Sequence, residues 1–68
     1  MNAFKRARLK LGLTQAELAE SLNVSTVTVN KWENGRTFPK PKRLQEVADV
    51  LRTSVNQLLD EAERKEAG

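Results

Sequence analysis

Thr26, Val27, Asn30, Lys31 and Asn34 lie within nine consecutive positions and bring together a hydroxyl, a branched apolar group, two carboxamides and an ammonium. These are the groups that read base-pair edges in a duplex: an apolar contact for the thymine methyl, amide pairing for adenine, a cation for guanine. Arg36, Lys40, Lys42 and Arg43 follow directly and suit phosphate oxygens, which position a protein on nucleic acid without reading its sequence. Further upstream, backbone N–H groups beside Gln15 are donors for another phosphate.

Other chemistry is poorly supplied. The 68 residues contain no histidine and no cysteine, so the commonest general base, the thiolate nucleophile and the usual zinc ligands are all missing. Ser21, Ser25 and Ser54 have no histidine to activate them, and Ser25 and Ser54 are explained as helix caps. Glu17 and Glu20, three residues apart, lack the further ligands a metal needs. No enzyme activity, cofactor or metal is expected.

The elements that must position these groups are marked by helical punctuation, and no strand-like alternation competes with it. Asn2 is available to cap a first helix with Phe4, Ala7 and Leu11 on its apolar face, ended by Gly12. Thr14 and Glu17 have the spacing of a capping box, with Leu13 and Leu18 as the hydrophobic staple, so a second helix starts at Gln15. Ala19 and Leu22 continue its apolar face, and Asn23, tolerant of positive φ, stops it. Ser25 caps the next helix at once, leaving a three-residue turn.

This third helix runs to about Asn34, before Gly35, and has two faces. With Val29 inward, Trp32 lies about 60° away on the same side, whereas Val27 and Lys31 lie roughly 160° away, with Asn30 and Asn34 between. An outward Val27 gains nothing locally, because a β-branched residue in a short exposed helix costs propensity. A loop with Pro39 and Pro41 follows, Pro41 being placed to open a fourth helix. Leu44, Val47, Ala48 and Leu51 form its stripe. Ser54 and Gln57 suggest a second capping box, opening a fifth helix with Val55, Leu58 and Leu59 as burial candidates.

Charge follows the same division. Residues 1–14 carry +4, 15–30 carry −2, 31–43 carry +4 and 44–68 carry −3. Two basic segments against an acidic end point to a polyanion for one face and leave the C-terminal part for protein contacts. No apolar run approaches the roughly 18 residues of a membrane span, and the basic N-terminus does not resemble a signal peptide. A cytoplasmic protein without membrane association is expected. It reads as a single domain over 1–68, with a core about 3–59 and a charged tail at 60–68.

The segments Gly12-Leu13-Thr14-Gln15, Glu17-Leu18-Ala19, Val24-Ser25, Val29, Trp32-Glu33-Asn34-Gly35, Pro39 and the apolar pattern from Leu44 to Leu59 together resemble a known family. It is that of the helix-turn-helix regulators of phage lambda Cro and repressor type, called XRE-like, and the resemblance covers about residues 4–59. It implies an all-α, lambda-repressor-like domain of five short helices, with the second and third forming the helix-turn-helix. It also implies a homodimer spanning two half-sites of an inverted-repeat operator about one helical turn apart. By position, Gln15 matches the family's phosphate-contacting glutamine, Thr26, Val27 and Lys31 its base-facing residues, and Arg8 and Glu33 an ion pair joining the first helix to the end of the third. Asn23 and Arg52 stand where glycine is usual, and Thr53 where an apolar residue is.

The expected function is therefore sequence-specific double-stranded DNA binding by a small transcriptional regulator, with repression as the expected sense. Thr26, Val27, Asn30 and Lys31 are assigned to base reading, and Gln15, Asn34, Arg36, Lys40, Lys42 and Arg43 to phosphates. A Cro-like protein, a restriction-modification controller and an antitoxin all fit. The alternative is an interaction module or antitoxin acting mainly through its C-terminal half on a partner protein.

Overall fold

The computed structural model describes residues 2–59. Over that span the chain is helical, with no strand, in the order α1 (Ala3–Lys10), α2 (Gln15–Leu22), α3 (Thr26–Glu33) and α4 (Pro41–Val50). Residues 55–59 are also helical and are called α5. The tail at 60–68 lies outside the described residues.

Each start is locally encoded. Asn2 accepts from the Lys5 N–H through Oδ1 and caps α1. The Thr14 hydroxyl accepts from the Glu17 N–H at 3.0 Å while the Glu17 carboxylate accepts from the Thr14 N–H at 2.8 Å, completing the capping box of α2. Ser25 accepts from the Thr28 N–H to open α3, and Pro41 occupies the first turn of α4, where its missing N–H costs nothing. Ser54 Oγ accepts from the Gln57 N–H at the start of α5.

All four preceding helices end in one way. A residue in the left-handed region follows each: Gly12 (φ 73°), Asn23 (57°), Gly35 (71°) and Arg52 (57°). Its N–H and that of its successor return to carbonyls three and five residues back, as in Gly12 to Leu9 with Leu13 to Arg8, or Arg52 to Asp49 with Thr53 to Ala48. This is the Schellman closure, which satisfies carbonyls that the helix leaves without partners. Glycine and asparagine adopt that conformation readily; arginine does so against steric resistance from its Cβ.

The apolar faces meet in one core of Phe4, Leu18, Ala19, Leu22, Val29, Trp32, Leu44, Val47, Ala48, Leu51 and Leu58. Helix α3 lies against both α1 and α2, and α4 packs on α2. Leu18, Val29 and Val47 have no exposed surface, and burying a side chain of this size contributes about 1.5–3 kcal/mol. Phe4 lies tilted on Trp32 with ring centroids 6.1 Å apart. Phe38, from the loop before α4, meets Phe4 edge-on at 5.6 Å.

Two expected core positions differ. Leu11 is 38% exposed because it follows the last turn of α1, past the stripe set by Phe4 and Ala7. Leu59 is also 38% exposed, since Leu58 takes the inward place and its neighbour is turned about 100° away. Helix α3 stops at Glu33, with Asn34 as its cap.

Candidate nucleic-acid interface

Eight residues make α3 too short to satisfy two partners unless its faces are cleanly divided. Val29, Trp32 and Glu33 are buried, and Thr26, Val27, Asn30 and Lys31 are exposed. Val27 keeps 62% of its surface in water, the largest exposure among the large apolar residues described. The four residues assigned to base reading thus occupy one outward surface, with Thr26 in the first helical turn.

Asn34 is held differently from the other amides. Its Nδ2 donates to the Asn30 carbonyl at 2.8 Å and to Asn30 Oδ1 at 3.1 Å. The Asn34 donor is thus engaged at the helix end, while its contact with Oδ1 fixes the Asn30 carboxamide and leaves the Asn30 Nδ2 as a donor.

Two features tie the far end of α3 in place. Arg36 and Gly35 donate to the Lys31 and Trp32 carbonyls, closing the helix. Asn2 Nδ2 also donates to the Trp32 carbonyl at 2.8 Å, so the residue capping α1 clamps the C-terminus of α3 as well.

Arg8 and Glu33 form a buried ion pair between the same two helices. Arg8 Nε donates to Glu33 Oε2 at 2.6 Å and Nη2 to Oε1 at 3.1 Å, with side-chain exposures of 8% and 2% for Arg8 and Glu33. The third guanidinium nitrogen donates to the Leu13 carbonyl at 2.7 Å. The hydrogen bond to Glu33 raises the Arg8 pKa, burial opposes it, and Coulombic attraction adds to the rise. Gln15 Nε2 joins the cluster by donating to Glu33 Oε1 at 3.0 Å. The first residue of α2 is thereby oriented by the last residue of α3.

Among the described residues, nothing accepts from the backbone N–H groups of Gln15 and Ala16 in the first turn of α2. Two N–H groups there, at the positive end of a helix, are donors suited to a phosphate oxygen. Arg36, Lys40 and Lys42 are exposed after α3 and can supply further phosphate contacts.

Arg43 departs from its assignment. Its Nη1 donates to the Leu22 carbonyl at 2.7 Å and lies 3.0 Å from Glu46 Oε1. It closes the C-terminal end of α2 in a hollow that also holds Asp49, and neighbouring carboxylates make that a poor place for a phosphate. Arg43 thus serves the join between α2 and α4. Phe38 was not legible as part of this architecture: a single aromatic between Thr37 and Pro39 carries no periodicity.

Two helices joined across Asn23, Val24 and Ser25, the second divided into a core face and a polar outward face, define a helix-turn-helix DNA-binding protein. The chain belongs to the helix-turn-helix family, whose description it matches over residues 4–58. That family is one of DNA-binding proteins rather than enzymes. The chain is 35% identical over 57 residues to the HTH-type transcriptional activator BcrR of Enterococcus faecalis, covering 81% of this chain and 28% of that protein. It is 31% identical over 51 residues to the cryptic phage CTXphi transcriptional repressor RstR of Vibrio cholerae, covering 75% and 46%. It is 36% identical over 52 residues to the 26 kDa repressor protein of Escherichia phage HK022, covering 76% and 22%. The chain spans less than half the length of each of these relatives.

Proposed function

We propose that this chain is a sequence-specific regulator of transcription that binds an inverted-repeat operator in double-stranded DNA as a homodimer, and that its sense is repression. The observation that carries the reading is the divided α3, which commits Val29, Trp32 and Glu33 to the fold and leaves Val27, at 62% exposure, outward beside Thr26, Asn30 and Lys31. An apolar group amid donors and acceptors gives the base-edge vocabulary of the major groove.

Gln15, the N–H groups of Gln15 and Ala16, Arg36, Lys40 and Lys42 hold the backbone on either side, and Asn34 acts through Asn30. Two of the three relatives above are named repressors, which supports that sense. The activity belongs in the cytoplasm, with the DNA, and among the described residues no helix is long and apolar enough to cross a membrane.

The test is selection of random duplexes by the purified chain at physiological salt, followed by sequencing of those retained. An enriched inverted repeat is expected. Retention without an enriched motif overturns sequence specificity, and an enriched single half-site overturns the homodimer.

A further inference from the structure

A hollow of about 450 Å³ lies between α1 and the turn leading into α5, apart from every residue of α2 and α3. Ala3, Ala7, Leu11 and Leu51 supply apolar lining; Arg6, Lys10 and Arg52 supply three positive charges, and among the described residues no carboxylate lines it. Among the described residues, the Lys10 and Arg52 side chains take part in no hydrogen bond or ion pair.

Arg52 gives this hollow a second and independent mark. Of the four helix closures, two use glycine, one asparagine, and this one arginine at φ 57°. The closure itself needs only a backbone N–H, which every residue but proline provides, so the hydrogen bonds of the turn give no reason for an arginine in a conformation it resists. Backbone strain of this kind is retained where the side chain has another use.

We propose that the hollow is a docking site for an acidic peptide segment of another protein, one that inserts an apolar side chain against Leu11 and Leu51 and sets carboxylates against Lys10 and Arg52. Charge complementarity selects a polyanion, and the apolar lining selects a peptide over a nucleic-acid backbone, which has no branched apolar side chain to insert. The volume accommodates two or three side chains of leucine size. Because no residue of α2 or α3 lines it, the site can be filled while α3 occupies DNA.

The test measures fluorescence anisotropy of a labelled peptide of glutamates with interspersed leucines, titrated with the full chain. Controls are the same peptide with glutamine for glutamate, and a peptide of glutamate alone. Binding of the first peptide, with both controls at least about tenfold weaker, is expected. Arg52→Gly should weaken it about three- to fivefold, the range of a single exposed ion pair, and Arg52→Gly with Lys10→Ala by more, while affinity for a DNA duplex stays the same.

Equal binding by the glutamate-only peptide overturns the apolar contact. Competition by duplex DNA overturns the choice of peptide. Unchanged affinity in Arg52→Gly, or no binding at all, overturns the site. Binding that emerges only after Asp60, Glu61, Glu63 and Glu66 are replaced by their amides overturns an external partner in favour of the chain's own acidic residues.

Discussion

Replacing Arg8 by alanine removes three hydrogen bonds from one guanidinium, two to Glu33 and one to the Leu13 carbonyl. The larger consequence falls on Glu33, whose side chain is 2% exposed and, among the described residues, would keep only the amide of Gln15 as a partner. Leaving one member of a buried pair uncompensated costs about 3–5 kcal/mol. A domain of this length has about 3–10 kcal/mol in total, at ~0.05–0.15 kcal/mol per residue, so the variant should be largely unfolded at 37 °C or melt at least about 12 °C lower. Thermal unfolding followed by circular dichroism reads this directly. The Arg8 guanidinium stays charged throughout the range in which proteins are handled, and its raised pKa only extends that range upward, so the pair is intact in the parent protein near neutrality. A double variant, Arg8→Met with Glu33→Leu, should recover most of the loss because neither charge is then buried alone. An Arg8→Ala protein that melts cooperatively within about 2 °C of the parent would refute the reasoning, showing that water reaches Glu33.

Four further outcomes are expected. Arg52→Gly relieves a left-handed residue at a cost of roughly 1 kcal/mol, and should raise Tm by about 4–8 °C in differential scanning calorimetry; a lower Tm would show that the side chain supports the fold. Lys31→Ala should lose about 1–3 kcal/mol on the preferred operator and relax one base position, seen by repeating the duplex selection. Lys40→Ala should weaken binding to all duplexes alike and flatten the salt slope by about 0.9 if one phosphate contact is lost. Asn2→Asp keeps an acceptor for the Lys5 N–H but puts an oxygen against the Trp32 carbonyl; it should destabilise by about 1–3 kcal/mol in urea unfolding, whereas loss of the cap alone costs about 1.

Helix boundaries were legible because each is set by a few neighbouring atoms: Thr14 with Glu17, Ser25 with Thr28, Pro41 in a first turn, and Gly12, Asn23 and Gly35 at ends. The inward phase of Trp32 and the outward phase of Val27 followed from the helical repeat alone. What escaped was set by groups distant in sequence. Arg43 shares its composition and spacing with the basic residues before it, and only the arrival of the Leu22 carbonyl, 21 residues away, gives it a different role. Asn34 reads as an outward amide until its bond back to Asn30 is seen. Leu58 and Leu59 are equally apolar, and one turn of described helix has too few positions for periodicity to choose between them. The hydrogen bond from Asn2 to Trp32, spanning 30 residues, has no sequence signature.

Trp32 is the chain's one tryptophan. The residue is 5% exposed and its ring is backed by Phe4, with its own carbonyl held by Asn2. The protein therefore contains an optical gauge for its own integrity. Emission should be blue-shifted and shielded from acrylamide in the native state, then move to longer wavelength on denaturation. Because the indole faces away from the outward side of α3, adding an operator should leave the emission maximum in place. A spectral shift on titration with DNA would thus signal loosening of the core rather than occupancy, and one cuvette could separate a variant that has lost its fold from one that has lost only its reading of DNA.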